Sequence, residues 1–228
     1  MRLTARLASS AVALAAFVGL AMTAAPAADF TGDPYPLGTC AVSGEKLGAD
    51  ATVEVIDGRQ VKFCCPKCAA SFKKDPAKYT PAVDEAIIKA AGAYPVKHCL
   101  VMKDEEIEDD ASTFVWNNRV IKVCCKKCIG KIKAAPEGYM KAYEAEVVAT
   151  QKPKYAATTC PISGKPLGDG AQDVVVNGKL VRTCCPGCVG AVKADPKAAF
   201  AKIEGGAPAK KDDAKPADKA SDKSAGDK

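Results

Sequence analysis

Three times along the chain, short runs of β-branched and apolar residues alternate with polar ones, and a helical pattern follows each. In the first, Thr52-Val53-Glu54-Val55-Ile56 leads into Asp57-Gly58 and then Arg59 to Phe63. Two such runs around an Asp-Gly pair predict a β-hairpin, because that pair accepts the positive φ of a type I′ turn. Asn117-Asn118 and Asn177-Gly178 stand at the corresponding turns further on. Behind the first hairpin, Cys68, Ala69 and Phe72 recur at i, i+1 and i+4, so a short helix starts there. Asp75-Pro76 and Asp195-Pro196 punctuate such helices. A second amphipathic helix follows in the first two places. Val83, Ile87 and Ile88 mark its buried face in one, and Tyr143, Val147 and Val148 in the other. Phe114, Val115 and Trp116 in the middle hairpin read as core.

Shifting the chain by 60 residues returns the same pattern. Cys64-Cys65-Pro66-Lys67-Cys68 recurs as Cys124-Cys125-Lys126-Lys127-Cys128 and as Cys184-Cys185-Pro186-Gly187-Cys188. Pro76, Pro136 and Pro196 are in register, as are Phe72, Ile132 and Val192, and Arg59, Arg119 and Lys179. One further cysteine leads each unit: Cys40, Cys99 and Cys160, placed 24, 25 and 24 positions before the cluster. The 12 cysteines therefore divide into three sets of four. Repetition at a fixed period is the mark of an array of similar small units.

The two ends differ from this array. Met1 to Ala28 carries Arg2 and Arg6, an apolar run from Leu7 to Met22, and the small residues Ala25-Pro26-Ala27-Ala28. That order is expected of a cleavable secretory signal, and the run is short against the ~20 apolar residues of a spanning helix. Residues 206–228 hold only small, charged and proline residues and are expected to be a disordered, solubilising tail. The formal charge is +6, from 33 basic and 27 acidic residues. Without Arg2 and Arg6 it falls to +4, too small and too mixed for a nucleic-acid partner.

Four cysteines in a unit of this size point to soft chemistry. Thiolates select zinc, copper(I) and similar ions over magnesium or calcium. The doublet sits where a strand becomes a helix, and amides at a helix N-terminus favour thiolate. Cys40, Cys64 and Cys68, with Cys99, Cys124 and Cys128 and with Cys160, Cys184 and Cys188, form the primary sets. Cys65, Cys125 and Cys185 are left as a fourth ligand or a reactive neighbour, since adjacent strand residues point to opposite faces. Three thiolates suit copper(I), whereas structural zinc takes four ligands. Two other readings compete. An oxidising compartment converts even cysteine sets into disulfides, which would make the chain a stapled scaffold. Cys65-Pro66-Lys67-Cys68 and Cys185-Pro186-Gly187-Cys188 also have the spacing of a thiol-disulfide oxidoreductase, without its βαβ surroundings. His98 and Met102 beside Cys99 are further candidate ligands, set against an ordinary surface histidine and an apolar loop residue. The acidic run Glu105 to Asp110 reads as a solvated loop. No phosphate-cradling glycine loop is present, and the first and third units have no histidine to act as a base.

Tyr35 to Tyr79 resembles the YHS and TRASH group of heavy-metal-binding modules. The residues that carry the likeness are Cys40-Ala41-Val42-Ser43-Gly44, Gly58, Phe63-Cys64, Cys68, Phe72 and Asp75-Pro76-Ala77-Lys78-Tyr79. Cys160-Pro161-Ile162-Ser163-Gly164 opens a similar match in the third repeat. The resemblance implies a compact, treble-clef-like ββα fold that binds metal through the leading cysteine and the C-x3-C pair of each repeat. This chain departs from that pattern in its doubled cysteine. It also places Ser43, Met102 and Ser163 where family members often have a second ligand.

The expected fold class is α+β: three tandem ββα cysteine modules joined by helices. They span residues 29–92, 93–152 and 153–205, between a signal peptide at 1–28 and the tail. The expected function is non-enzymatic binding of zinc or copper(I) by cysteine thiolates in the periplasm or outside the cell, for buffering, trafficking or sensing. Other envelope metal-handling proteins are the expected partners, and no stable membrane insertion is expected after signal cleavage.

Overall fold

The computed structural model describes residues 30–205; the expected signal peptide and tail lie outside them. Within that span the chain is α+β, a series of two-stranded antiparallel sheets each followed by two helices. The first module contains β1 (Thr52–Ile56), β2 (Arg59–Phe63), α1 (Pro66–Lys74) and α2 (Pro76–Ala90). The middle module contains β3 (Ser112–Trp116), β4 (Arg119–Val123), α3 (Lys126–Ala134) and α4 (Pro136–Gln151). The third contains β5 (Gln172–Val176), β6 (Lys179–Thr183), α5 (Pro186–Ala194) and α6 (Pro196–Gly205).

The hairpins form where the alternation predicted them. Ile56 pairs with Arg59, Trp116 with Arg119 and Val176 with Lys179, leaving two-residue turns. Both residues of every turn have positive φ: Asp57 and Gly58 at 50° and 78°, Asn117 and Asn118 at 44° and 66°, Asn177 and Gly178 at 50° and 74°. That geometry matches the right-handed twist of the strands and explains the Asn, Asp and Gly found there.

Asp75 ends α1 and starts α2, its carboxylate accepting a hydrogen bond from the Lys78 amide at 3.3 Å. Asp195 does the same for α6 through the Ala198 amide at 3.0 Å. The middle module has Ala135 at this joint, with no side-chain cap. The third module carries a second helix, α6, that the apolar pattern predicted only for the first two. Only Ala199 is fully buried there; Phe200 and Ile203 pack half-buried on the same core, and the three positions span little more than one turn.

Each module has its own core, and neighbouring cores touch. Phe63, Phe72, Val83 and Ile87 are buried in the first, against Val115 and Val120 of the middle hairpin. Ile121, Ile132, Tyr143 and Val147 fill the middle, against Val175 of the third. Val176, Val181 and Val192 form a smaller third core. Ile88 departs from the expected buried stripe and is 37% exposed. Trp116 and Val115 are half-buried, whereas Phe114 is buried. No helix among the described residues is long and apolar enough to cross a membrane.

Three TRASH-like cysteine clusters

Each leading cysteine sits in a tight loop that the backbone closes on itself. The Cys40 amide donates to Glu45 O at 2.7 Å, and the Gly44 amide returns to Cys40 O at 3.0 Å. Cys160 repeats both bonds with Lys165 and Gly164 at 2.8 Å. Gly44 and Gly164 take φ of 73° and 72°, a conformation that side chains other than glycine resist. In the middle module the Cys99 amide reaches Glu105 O at 2.8 Å, one residue further along. The loop thus absorbs the residue that lengthens the Cys99 to Cys124 spacing.

A tyrosine five positions before each leading cysteine holds this segment on the module. Tyr94 donates its hydroxyl to Lys122 O at 3.4 Å, and the Tyr155 hydroxyl accepts the Arg182 amide at 3.1 Å. Tyr35 donates to Thr39 O at 3.0 Å, while the Gln60 side chain takes its amide at 2.9 Å. Reading the cysteines alone misses these residues. Aligning the chain on Cys40, Cys99 and Cys160 finds them.

Hairpin closure then brings three sulfurs together in every module. Cys40, Cys64 and Cys68 lie with all ligand atoms within 4.8 Å of one another, and so do Cys99, Cys124 and Cys128, and Cys160, Cys184 and Cys188. The C-x3-C sulfurs are 3.7 Å apart for Cys64 and Cys68, and 3.8 Å for Cys124 and Cys128 and for Cys184 and Cys188. Two sulfurs at ~2.3 Å from one ion would be separated by about 3.8 Å in tetrahedral and about 4.0 Å in trigonal geometry. A disulfide needs ~2.05 Å. All 12 cysteines are free thiols, and the nine of the three sets lie at separations that suit a shared soft ion.

The second cysteine of each doublet lies beside this set and outside it. Cys125 and Cys185 are exposed and Cys65 half-buried. Cys125 Sγ is 3.6 Å from Cys128 Sγ, and Cys185 Sγ is 3.6 Å from Cys188 and 3.8 Å from Cys184. Cys65 Sγ is 3.9 Å from Cys64. A fourth tetrahedral ligand would have to lie near all three sulfurs, and these do not.

Local hydrogen bonding divides the thiols by acidity. Burial opposes ionisation of Cys40, but the Ser43 hydroxyl and the amides of Ser43, Cys64 and Val42 outweigh it and bring the thiol down to about 6. Cys160 is also brought down to about 6, burial being outweighed by the Ser163 amide and hydroxyl. Cys99 is lowered too, against burial, by the amides of Met102, Cys124 and Val101. Burial and the neighbouring sulfurs hold Cys68 and Cys128 up at about 12. Cys65, Cys125 and Cys185 are lowered by amides at the starts of α1, α3 and α5, although none makes a formal capping hydrogen bond.

Ser43 and Ser163, at the position of the family's second ligand, contact sulfur directly. Ser43 Oγ is 3.5 Å from Cys64 Sγ, and Ser163 Oγ is 3.2 Å from Cys184 Sγ. The Met102 side chain is 46% exposed. His98 is exposed, its backbone bridged to Glu106, and it is not part of the middle sulfur group.

A family model described as a C-terminal TRASH domain matches residues 39–80, a span that holds Cys40, Cys64 and Cys68. The chain carries three TRASH-like cysteine modules. Comparison with curated proteins and with solved structures finds no match. The second and third TRASH-like modules rest on the 60-residue repeat and on the same three-sulfur geometry.

The modules also share an ion pair that the cysteine pattern does not reveal. Arg59 meets Asp84 at 2.8 Å, Arg119 meets Glu144 at 2.9 Å, and Lys179 meets Glu204 at 3.2 Å. The acidic partners are themselves 60 residues apart, so the repeat that aligned the basic residues could have found them. Each pair links the second strand to the second helix of its module.

Proposed function

We propose that each TRASH-like module binds one copper(I) ion through three thiolates, and that the protein buffers, carries or senses copper without catalysing a reaction. The observation that carries this reading is the recurrence of three sulfurs, with the fourth cysteine held outside the set. Thiolates favour soft ions. Zinc would need a further ligand to complete the four it takes in structural sites. Cys40, Cys99 and Cys160 are buried, so the ion would be anchored from within, while the doublets face outward. The signal-like segment Met1 to Ala28 supports a periplasmic setting, where envelope proteins would supply or receive the ion.

The test is elemental analysis and X-ray absorption on the full-length protein isolated from the periplasm without chelator. Close to three copper ions per chain, each with three sulfur neighbours, is the expected result. Fully oxidised sulfurs and no metal would return the chain to a disulfide-stapled scaffold. Zinc with four sulfur ligands would overturn both the ion and the ligand set.

A further inference from the structure

The doublet cysteine is the feature that the three-sulfur site does not use. It recurs in all three modules, always at the N-cap of the helix that carries the third sulfur of the set. A conserved backbone explains its placement: φ and ψ are −158° and 162° at Cys65, −156° and 161° at Cys125, and −160° and 162° at Cys185. With this geometry the doublet sulfur stays outside the trio that the leading cysteine joins. The sulfur stays within 3.6 Å of Cys128 in the middle module and of Cys188 in the third. That separation is close to what two thiolates need to hold one ion between them at ~2.3 Å each.

We propose that Cys65, Cys125 and Cys185 are exchange ligands, through which a soft ion passes between the three-sulfur site and a partner protein presenting a thiol pair. The inference rests on the function proposed above and adds the route by which cargo enters and leaves. In the middle and third modules the exposed doublet thiol and the buried C-terminal cysteine of the C-x-x-C pair form a second pair, open to the outside through the doublet sulfur, that shares one sulfur with the inner site. In the first module Cys65 lies 3.9 Å from Cys64. Cargo shifts outward when the doublet thiolate bonds to it and the buried leading thiolate lets go. One ion–sulfur bond forms as another breaks; a proton lost by the doublet thiol passes to the buffer, the released leading sulfur stays a thiolate, and no electron moves. An incoming thiol pair then replaces the outer pair in the same way. Ion and charge are conserved at each exchange, and the ion is never released to water. A purely structural clamp would not need a fourth thiol outside the trio in every module. Cys125 and Cys185 are exposed where a partner would approach.

The experiment compares the full-length wild type with a C65S/C125S/C185S variant, both loaded anaerobically with copper(I). A chromophoric copper(I) chelator measures stoichiometry, and stopped-flow mixing with a fluorescent dithiol peptide measures handover. The expected result is three ions per chain in both proteins, with handover from the variant slower by roughly tenfold or more. Handover at the wild-type rate would overturn the exchange role while leaving the three-sulfur sites intact. A variant that retains fewer than three ions would show the doublet to be a structural ligand, which also overturns it. Failure of the wild type to load copper(I) would overturn the proposed function itself, and the exchange role with it.

Discussion

Arg119 and Asp33, 86 residues apart in the chain, meet at 3.1 Å with side chains only 2% and 1% exposed. The segment before the first hairpin is thereby pinned to the second strand of the middle module. Gly32, at φ of 78°, lets that segment pass so close to the Asn117 carbonyl that an added Cβ would sit 2.4 Å from its oxygen. Asn118 completes the joint, donating to Asp33 O at 3.0 Å and Gln60 O at 2.8 Å while accepting from Arg59 Nε at 2.8 Å. The first and middle modules are locked together by buried polar groups as well as by apolar contact.

Removing Asp33 leaves the buried Arg119 guanidinium with only the half-exposed Glu144 as an ion-pair partner. Asp33→Ala is expected to cost about 3 kcal/mol, read from urea denaturation. Replacing both partners together, as in Asp33→Leu with Arg119→Met, should cost clearly less, since no charge is then left buried. Equal losses from the single and double variants would show that the ion pair is not what the joint depends on.

The leading cysteines should each account for one ion. Cys99→Ser is expected to lower copper(I) stoichiometry from three per chain to two, with the outer modules unaffected. Retention of three ions by this variant would show that the leading sulfur is not a ligand.

Loading should release protons in a pH-dependent way. In the first module at pH 7, Cys40, lowered to about 6, is ionised. Cys64 is raised, because burial and Cys40 outweigh the favourable Ser43 hydroxyl, and Cys68 stands at about 12, so both are protonated. An ion that takes all three thiolates therefore displaces about two protons near neutrality and about three below pH 6, where Cys40 is also protonated. Affinity should fall as pH falls, and more steeply below 6. Calorimetry in buffers of different ionisation enthalpy counts these protons, and a pH-independent affinity would contradict the thiolate assignment.

The middle module lacks a cap that its neighbours have. Ala135 has φ of −145° and ψ of 69°, nearly the backbone of Asp75 at −148° and 76° and of Asp195 at −138° and 80°. Ala135→Asp should place a carboxylate on the Gly138 amide and stabilise the protein by about 1 kcal/mol. Thermal unfolding of the variant checks this, and an unchanged midpoint would mean that the joint is already satisfied by solvent.

Much of the site was legible because its determinants are local. Asp57-Gly58, Asn117-Asn118 and Asn177-Gly178 dictate the turn, the turn dictates strand pairing, and pairing returns Cys40 toward Cys64 and Cys68. Strand alternation sets Cys64 and Cys65 on opposite faces, and the TRASH resemblance points to Cys64 for the inner set, with Cys65 left open as a fourth ligand. Less visible were α6, whose packed face of Ala199, Phe200 and Ile203 spans little more than a turn, and Tyr35, Tyr94 and Tyr155, whose segments are held by partners 25 or more residues away: the Gln60 side chain, Lys122 O and the Arg182 amide.

By itself the amino-acid order determined the three units, their turn types and the four cysteines of each, since repeat and φ preference are written in neighbouring residues; that only three sulfurs of each four converge was decided by the fold. Tertiary structure alone decided how the units join. Asp33 finds Arg119, Asn118 fills the gap above Gln60, and Gln151 donates to Gly178 O while accepting the Leu180 amide, both at 2.8 Å. Such partners are chosen by surfaces that exist only once the modules have folded and docked. No periodicity in the chain encodes that complementarity.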